Sequence, residues 1–331
     1  MVESFLNHFA ELLKLFKELI LVSDPGKRLY WVYIATFLGV SCIVYLKRKK
    51  TEEKSLLGYL FPKQVYTNQS TFVDLKIYLI NGLVGGILSF STIVFSAAAV
   101  GEITFQLLGL VMGVSSLSWT PTTATIAVFS FIGVVLSDLG KFISHYLHHR
   151  VPLLWAIHKV HHSAKVLTPV TAFRFHPFEL IVAGVAVALI LGPLVGLYKF
   201  LYDTGIFATA SFLVGSLLFL WLITANFRHS HIKIHYPEFI SKWVVSPAMH
   251  NLHHSSEPRH FDKNMGFIFS FWDRLANTYY LPEKDEQYGF GIGQNEDKEY
   301  ESIWKCYTRP LREIYVMTSM QCKRLLNLKS N

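Results

Sequence analysis

The stretch SHYLHHRVPLLWAIHKVHH, Ser144 to His162, decides how this chain is read. It holds His145-x-x-His148-His149 and His158-x-x-His161-His162, and residues at i, i+3 and i+4 of a helix share a face. The run before it, from about Thr122 to Ile143, is apolar and about the 20 residues needed to cross a bilayer. An apolar span that runs straight into clustered imidazoles points to an integral membrane protein with a metal site. Both features recur further on. Glu179–Phe200 and Gly205–Phe227 are apolar runs, the second leading into His229, His231 and His235, and a third triplet follows at His250, His253 and His254.

Composition agrees. Of 331 residues, 51% are hydrophobic and 16% charged, against about 25% charged in a soluble domain. Fourteen of the fifteen histidines lie between His145 and His260, and His8 stands alone. These proportions exclude disordered, fibrous and disulfide-stapled secreted proteins. The net charge of +8 does not indicate nucleic acid, because the basic residues are dispersed and no recognition module is present. Cys42, Cys306 and Cys322 have no zinc-ligand spacing.

Charge also orients the chain. Apolar runs at Leu29–Leu46 and Leu75–Val100 precede the three above, and Gly101–Pro121 reads as a re-entrant or interfacial hairpin. Of the 31 Lys and Arg, 26 fall in segments 47–76, 141–176 and 228–331. Five alternating spans put these three segments on one side, the cytoplasmic side by the positive-inside rule. The fold expected is all-α and polytopic, with about five membrane-embedded helices and a cytoplasmic histidine-rich helical cap. Residues 1–28 read as an amphipathic segment, 29–137 as membrane helices, 138–280 as the catalytic region with two further spans, and 281–331 as a cytoplasmic tail.

Neutral imidazole suits iron, zinc and copper, and two such ions need roughly eight to ten ligands. The spaced groups supply His145, His149, His158, His161, His162, His231, His235, His250, His253 and His254, with His229 as a further candidate. Around them, His148, His176, His260 and Asn264 are candidates for supporting roles. Asp138 lies two turns before His145 at bilayer depth, where an acid is costly unless it is paired or functional, and is expected to orient a ligand histidine. Asp273 is expected to do the same or to pair with Arg274.

These residues resemble the fatty acid hydroxylase/sterol desaturase superfamily of membrane-bound di-iron enzymes. The resemblance runs from about Asp138 to Tyr280 and includes Leu154-Trp155, Arg174-Phe-His176-Pro177, Arg228-His229-Ser-His231, Asp262-Lys-Asn264-Met-Gly266 and Trp272-Asp273-Arg274-Leu275. The family's closing Phe-Gly-Thr is replaced here by Ala276-Asn277-Thr278. Its middle element varies between members, so which two of His229, His231 and His235 ligate stays open. The resemblance implies two iron ions, with zinc as a substitute, and use of O2 to hydroxylate or desaturate a C–H bond of a lipid drawn from the bilayer: a sterol, fatty acyl chain or alkylglycerol. No haem, flavin or nicotinamide signature is present, so a separate electron donor of ferredoxin or cytochrome b5 type is implied. The membrane would be a bacterial inner membrane or the endoplasmic reticulum. Two other readings compete. A metal transporter or sensor would carry ionisable residues along several spans, and Asp138 and Glu102 are almost alone there. A catalytically silent zinc scaffold would keep the ligands without the activity.

Overall fold

The computed structural model describes residues 29–47, 55–94, 96–204, 224–293 and 296–328. The amphipathic reading of residues 1–28 and most of the run 205–227 lie outside them. The main helices are α1 (Trp31–Lys47), α2 (Gln69–Val94), α3 (Ala97–Met112), α4 (Thr123–Arg150), α5 (Pro152–His162), α6 (Pro177–Tyr202), α7 (Pro247–His253) and α8 (Ile303–Leu328). Among the described residues, β structure is confined to the isolated bridges Val244–Phe269 and Ser255–Phe290. The described residues are helical in class, and two helices among them, α4 and α6, are long and apolar enough to cross a membrane.

Two expectations are corrected. The apolar run 75–100 is not one helix. It ends at Val94, and Ser96, whose hydroxyl accepts the Ala99 N–H, caps a new one. Consequently Gly101–Pro121 is no hairpin, since residues up to Met112 belong to α3 and only the stretch beyond the left-handed Gly113 is irregular. Small residues explain how closely α3 packs on α6. A Cβ on Gly192 would meet Val100, and one on Gly196 would strike the Gly101 carbonyl. Glycine at these contacts lets two apolar helices approach to backbone distance. Glu102, an acid in an apolar run, is neutralised by Lys199 on α6.

Helices α4 and α5 form the elbow that builds the site. Val151 is extended, as a residue before proline prefers to be, and Pro152 opens α5 at its first turn. The chain therefore folds back, and His158 comes to lie beside His145. Helix α1 packs Phe37 on Phe227, with ring centroids 4.7 Å apart, just ahead of His229. On α2, Asn81 donates to the Phe175 carbonyl, and buried Asp74 pairs with Arg174 at 2.8 Å.

The segment 281–331 is more ordered than a polar tail. Three of its acids pair with α5 and the turn after it: Lys159 bridges Glu296 and Glu313 at 3.0 and 2.9 Å, and Lys165 reaches Glu301 at 2.8 Å. Helix α8 lies against α5 through these contacts. The glycines 289–293 are loop, with Gly291 and Gly293 at positive φ.

The contact between α4 and α6 sets the fold's tolerance. A Cβ on Gly140 would lie 2.7 Å from the Val187 backbone. Gly140→Leu is therefore expected to destabilise the protein by about 1–3 kcal/mol or more through overpacking, seen as a lower Tm in detergent. Gly39→Ala, inside α1 where nothing lies within 4 Å, should not lower Tm, since alanine favours a helix interior over glycine.

Candidate metal centre

Nine histidines converge in two groups. His145, His149, His158, His162 and His253 form one, and His161, His229, His250 and His254 form the other; within each group the ligand atoms lie within 4.8 Å of one another. Helix geometry explains the division. At 100° per residue, i and i+4 are 40° apart, whereas i+3 falls about 60° to the other side. In α5, His158 and His162 therefore serve the first group and His161 the second. At α7 the arrangement reverses: His250 and His254 serve the second group and His253 the first. A triplet does not bring all three imidazoles to one point; it straddles two.

The Nε2 atoms point at each other. His145 and His158 are 3.1 Å apart, His158 and His162 3.2 Å, and His145 and His253 3.0 Å. In the second group, His229 Nε2 lies 3.2 Å from His161 and 3.1 Å from both His250 and His254. Nitrogens bonded at about 2.0–2.1 Å to one ion stand about 2.9–3.4 Å apart, so this spacing fits a shared cation. The His149 Nε2 atom is buried without a hydrogen-bond partner, as a donor reserved for an ion would be.

Burial also keeps the rings neutral. It holds His162, His250 and His254 well below the usual imidazole range, helped by neighbouring imidazoles, and pushes His253 down to about 4. Neutral imidazole is the ligating form.

The outer nitrogens show how the rings are held. His145 Nδ1–H donates to the Met265 carbonyl at 2.8 Å, His253 to Lys263 at 2.7 Å, and His161 to Arg174 at 3.1 Å. His158 Nδ1–H donates to the Glu179 carboxylate at 2.7 Å, and His149 Nδ1 lies 3.3 Å from Asp262. Each of the four hydrogen bonds puts the proton on Nδ1 and leaves the Nε2 lone pair facing inward, and the Asp262 carboxylate favours the same tautomer of His149. Glu179 and Asp262 were not among the sequence candidates. The available signal was an acid in the first turn of α6, three residues after His176, in a helix otherwise free of acids.

Other candidates act at one remove. Asp138 touches no histidine; its oxygens accept the N–H groups of Ile268 and Phe269 and the Trp272 indole. Asp273 likewise binds neither a histidine nor Arg274, but accepts from Met265 and Gly266 N–H and the Thr278 hydroxyl. Together they hold the loop whose Met265 carbonyl orients His145. Asn264, at positive φ, ties that loop to Met249 and Tyr280. His176 caps α6 and donates to the Tyr307 carbonyl, and buried His260 links Ser255 to Glu286. His148 bonds the Ser144 carbonyl and joins neither group.

His231 and His235 also stand outside both groups; His231 Nε2–H donates to the Tyr59 carbonyl at 2.8 Å. The reason is local. The helix ends at Arg228, so residues 229–237 are irregular, and helical i, i+4 spacing does not apply to this pair.

Two cavities of about 310 Å³ reach the histidines. One is walled by Leu180 and Ala183 of α6, Phe175, Phe267 and Lys141, and opens onto His145, His158, His161, His229 and His250. The other reaches His149, His162 and His253 past Trp155, Asp262 and Glu296.

Among the described residues the chain thus combines helices, two of them long and apolar enough to cross a membrane, with a buried cluster of histidines that could hold metal. Residues 130–278 match the family model described as fatty acid hydroxylase. Over that region, somewhat under half of the chain, the sequence is similar to the fatty acid hydroxylase/sterol desaturase superfamily. Among curated relatives, the Delta(7)-sterol 5(6)-desaturase of Candida dubliniensis is 28% identical over 55% of this chain and 40% of its own length. The alkylglycerol monooxygenase of Caenorhabditis elegans is 23% identical over 50% of this chain and 31% of its own. The ornithine lipid hydroxylase of Rhizobium tropici is 25% identical over 49% and 44%. The chain thus spans less than half the length of these relatives. No solved structure matches the chain significantly.

The two groups make different demands on neighbouring histidines. His229→Ala is expected to lower bound metal measured by elemental mass spectrometry, and His231→Ala to leave it unchanged. Equal loss from both would contradict the grouping.

Proposed function

We propose that this protein is a membrane-bound oxidoreductase that uses O2 to hydroxylate or desaturate a C–H bond of a lipid. The observation that carries the reading is the division of nine buried imidazoles into two facing groups beside an apolar cavity. His145, His149, His158, His162 and His253 would hold one iron ion, and His161, His229, His250 and His254 the other. Iron held there supplies the O2 chemistry that breaking an unactivated C–H bond requires.

The rest of the work falls to the chain. The cavity between α4 and α6 takes the lipid from the bilayer, and Leu180, Ala183, Phe175 and Phe267 give it apolar walls. These walls also keep water away from the reacting carbon. Glu179, Asp262 and the carbonyls of Met265, Lys263 and Arg174 keep the imidazoles in one tautomer and orientation. Lys141, one turn before His145, lies at the same cavity and offers a cation to a polar end of the lipid. The relatives named above are a sterol desaturase, an alkylglycerol monooxygenase and an ornithine lipid hydroxylase, which supports lipid oxidation as the common activity. Electrons come from a separate protein of ferredoxin or cytochrome b5 type. The spans α1, α2, α4 and α6 form a multi-pass anchor, with the histidines on the cytoplasmic face.

Iron-loaded protein should consume O2 when given a reductant and lipid extract, and lipid profiling of cells lacking it should reveal the missing product. His161→Ala and His253→Ala, one from each group, should each abolish lipid-stimulated O2 uptake. Activity that survives both substitutions, or a zinc-only protein that consumes no O2 after iron reconstitution, would refute the reading.

A further inference from the structure

The two histidine groups differ in what holds them from outside. In the five-histidine group, four of the outer Nδ1 atoms face an acceptor: Glu179 for His158, Asp262 for His149, and the Met265 and Lys263 carbonyls for His145 and His253. Two of these acceptors are carboxylates. In the four-histidine group, His161 donates to the Arg174 carbonyl, but the buried Nδ1 atoms of His250 and His254 have no hydrogen-bond partner.

That difference bears on metal retention. A neutral imidazole offering Nε2 to an ion must carry its proton on Nδ1. An acceptor fixed at Nδ1 selects that tautomer before the ion arrives, and a carboxylate makes the ring a stronger ligand. A buried N–H left without an acceptor is instead a cost incurred on binding. Accessibility argues the other way. The second cavity reaches His149, His162 and His253, all of the five-histidine group, so a chelator entering there would meet that group first.

We infer that the two metal positions are inequivalent. The five-histidine group retains its ion, the four-histidine group exchanges its ion first, and Glu179 and Asp262 are positioning residues for the retained one. This rests on the reading that both groups bind metal, and it adds which is labile and why.

Chelator competition on the full-length protein tests it. Metal-free protein is loaded anaerobically with Fe(II), challenged with excess chelator, and its ions are counted by elemental mass spectrometry over time. Two ions should leave in two phases, the first at least about 10-fold faster, on the scale of outer-shell effects. His250→Ala should lose the fast phase and keep the slow one. Asp262→Asn and Glu179→Gln should speed the slow phase by about 10–100-fold and leave the fast phase alone. If buried Glu179→Gln does not fold, Asp262→Asn, at a side chain 37% exposed, carries the test. A single phase for both ions, or a fast phase that persists in His250→Ala, overturns the inference. A protein that binds no ion overturns the reading beneath it instead.

Discussion

Imidazole nitrogens packed 3.0–3.2 Å apart in a buried interior repel one another unless a proton or a cation lies between them. Protons are poor candidates at His145, His158, His161 and His253, whose Nδ1–H groups donate outward and so direct the Nε2 lone pairs inward. A cation between them turns a set of mutually unfavourable contacts into ligand bonds. A site of this kind couples metal binding to folding, because it cannot exist preformed in an unfolded chain. The architecture around the site serves to keep those lone pairs facing each other.

Three layers accomplish this. The elbow at Val151–Pro152 turns α5 back onto α4, so that His158 faces His145. The glycine contacts among α3, α4 and α6 bring the apolar helices to backbone distance and leave Glu179 at the correct depth to accept from His158. Finally, two buried carboxylates, Asp138 and Asp273, accept six backbone, indole and hydroxyl donors from the loop 265–278 and hold it in place. That loop supplies the Met265 carbonyl to His145 and, through Asn264, is joined to α7. The buried pair of Arg174 with Asp74 does the same on the other side, where the Arg174 carbonyl orients His161. Pairing makes such buried charge tolerable, and removing one partner would leave the other stranded.

Much of this was legible in the sequence, and the failures have physical causes. The triplets at His158 and His250 announced themselves because helical spacing is local and needs no knowledge of the fold. Their division between two groups was not legible, since it depends on the rotation of α5 against α7. His231 and His235 have helical spacing but no helix, and so His229 takes the place in the cluster. Glu179 was read as the first residue of an apolar run, although an acid there has to find a partner. Asp138 is expected from the sequence to orient a ligand histidine, yet its partners are loop N–H groups 130 residues away in sequence, which no spacing reveals. The ion pairs that fasten α8 to α5 are hidden for the same reason.

X-ray absorption at the iron edge of the loaded, reduced protein probes the central claim most directly. Two irons per chain, each surrounded by imidazole nitrogens at about 2.0–2.2 Å with no sulfur, is the result predicted by the two facing groups. A single iron per chain, or a shell dominated by carboxylate oxygen or thiolate sulfur, would contradict it.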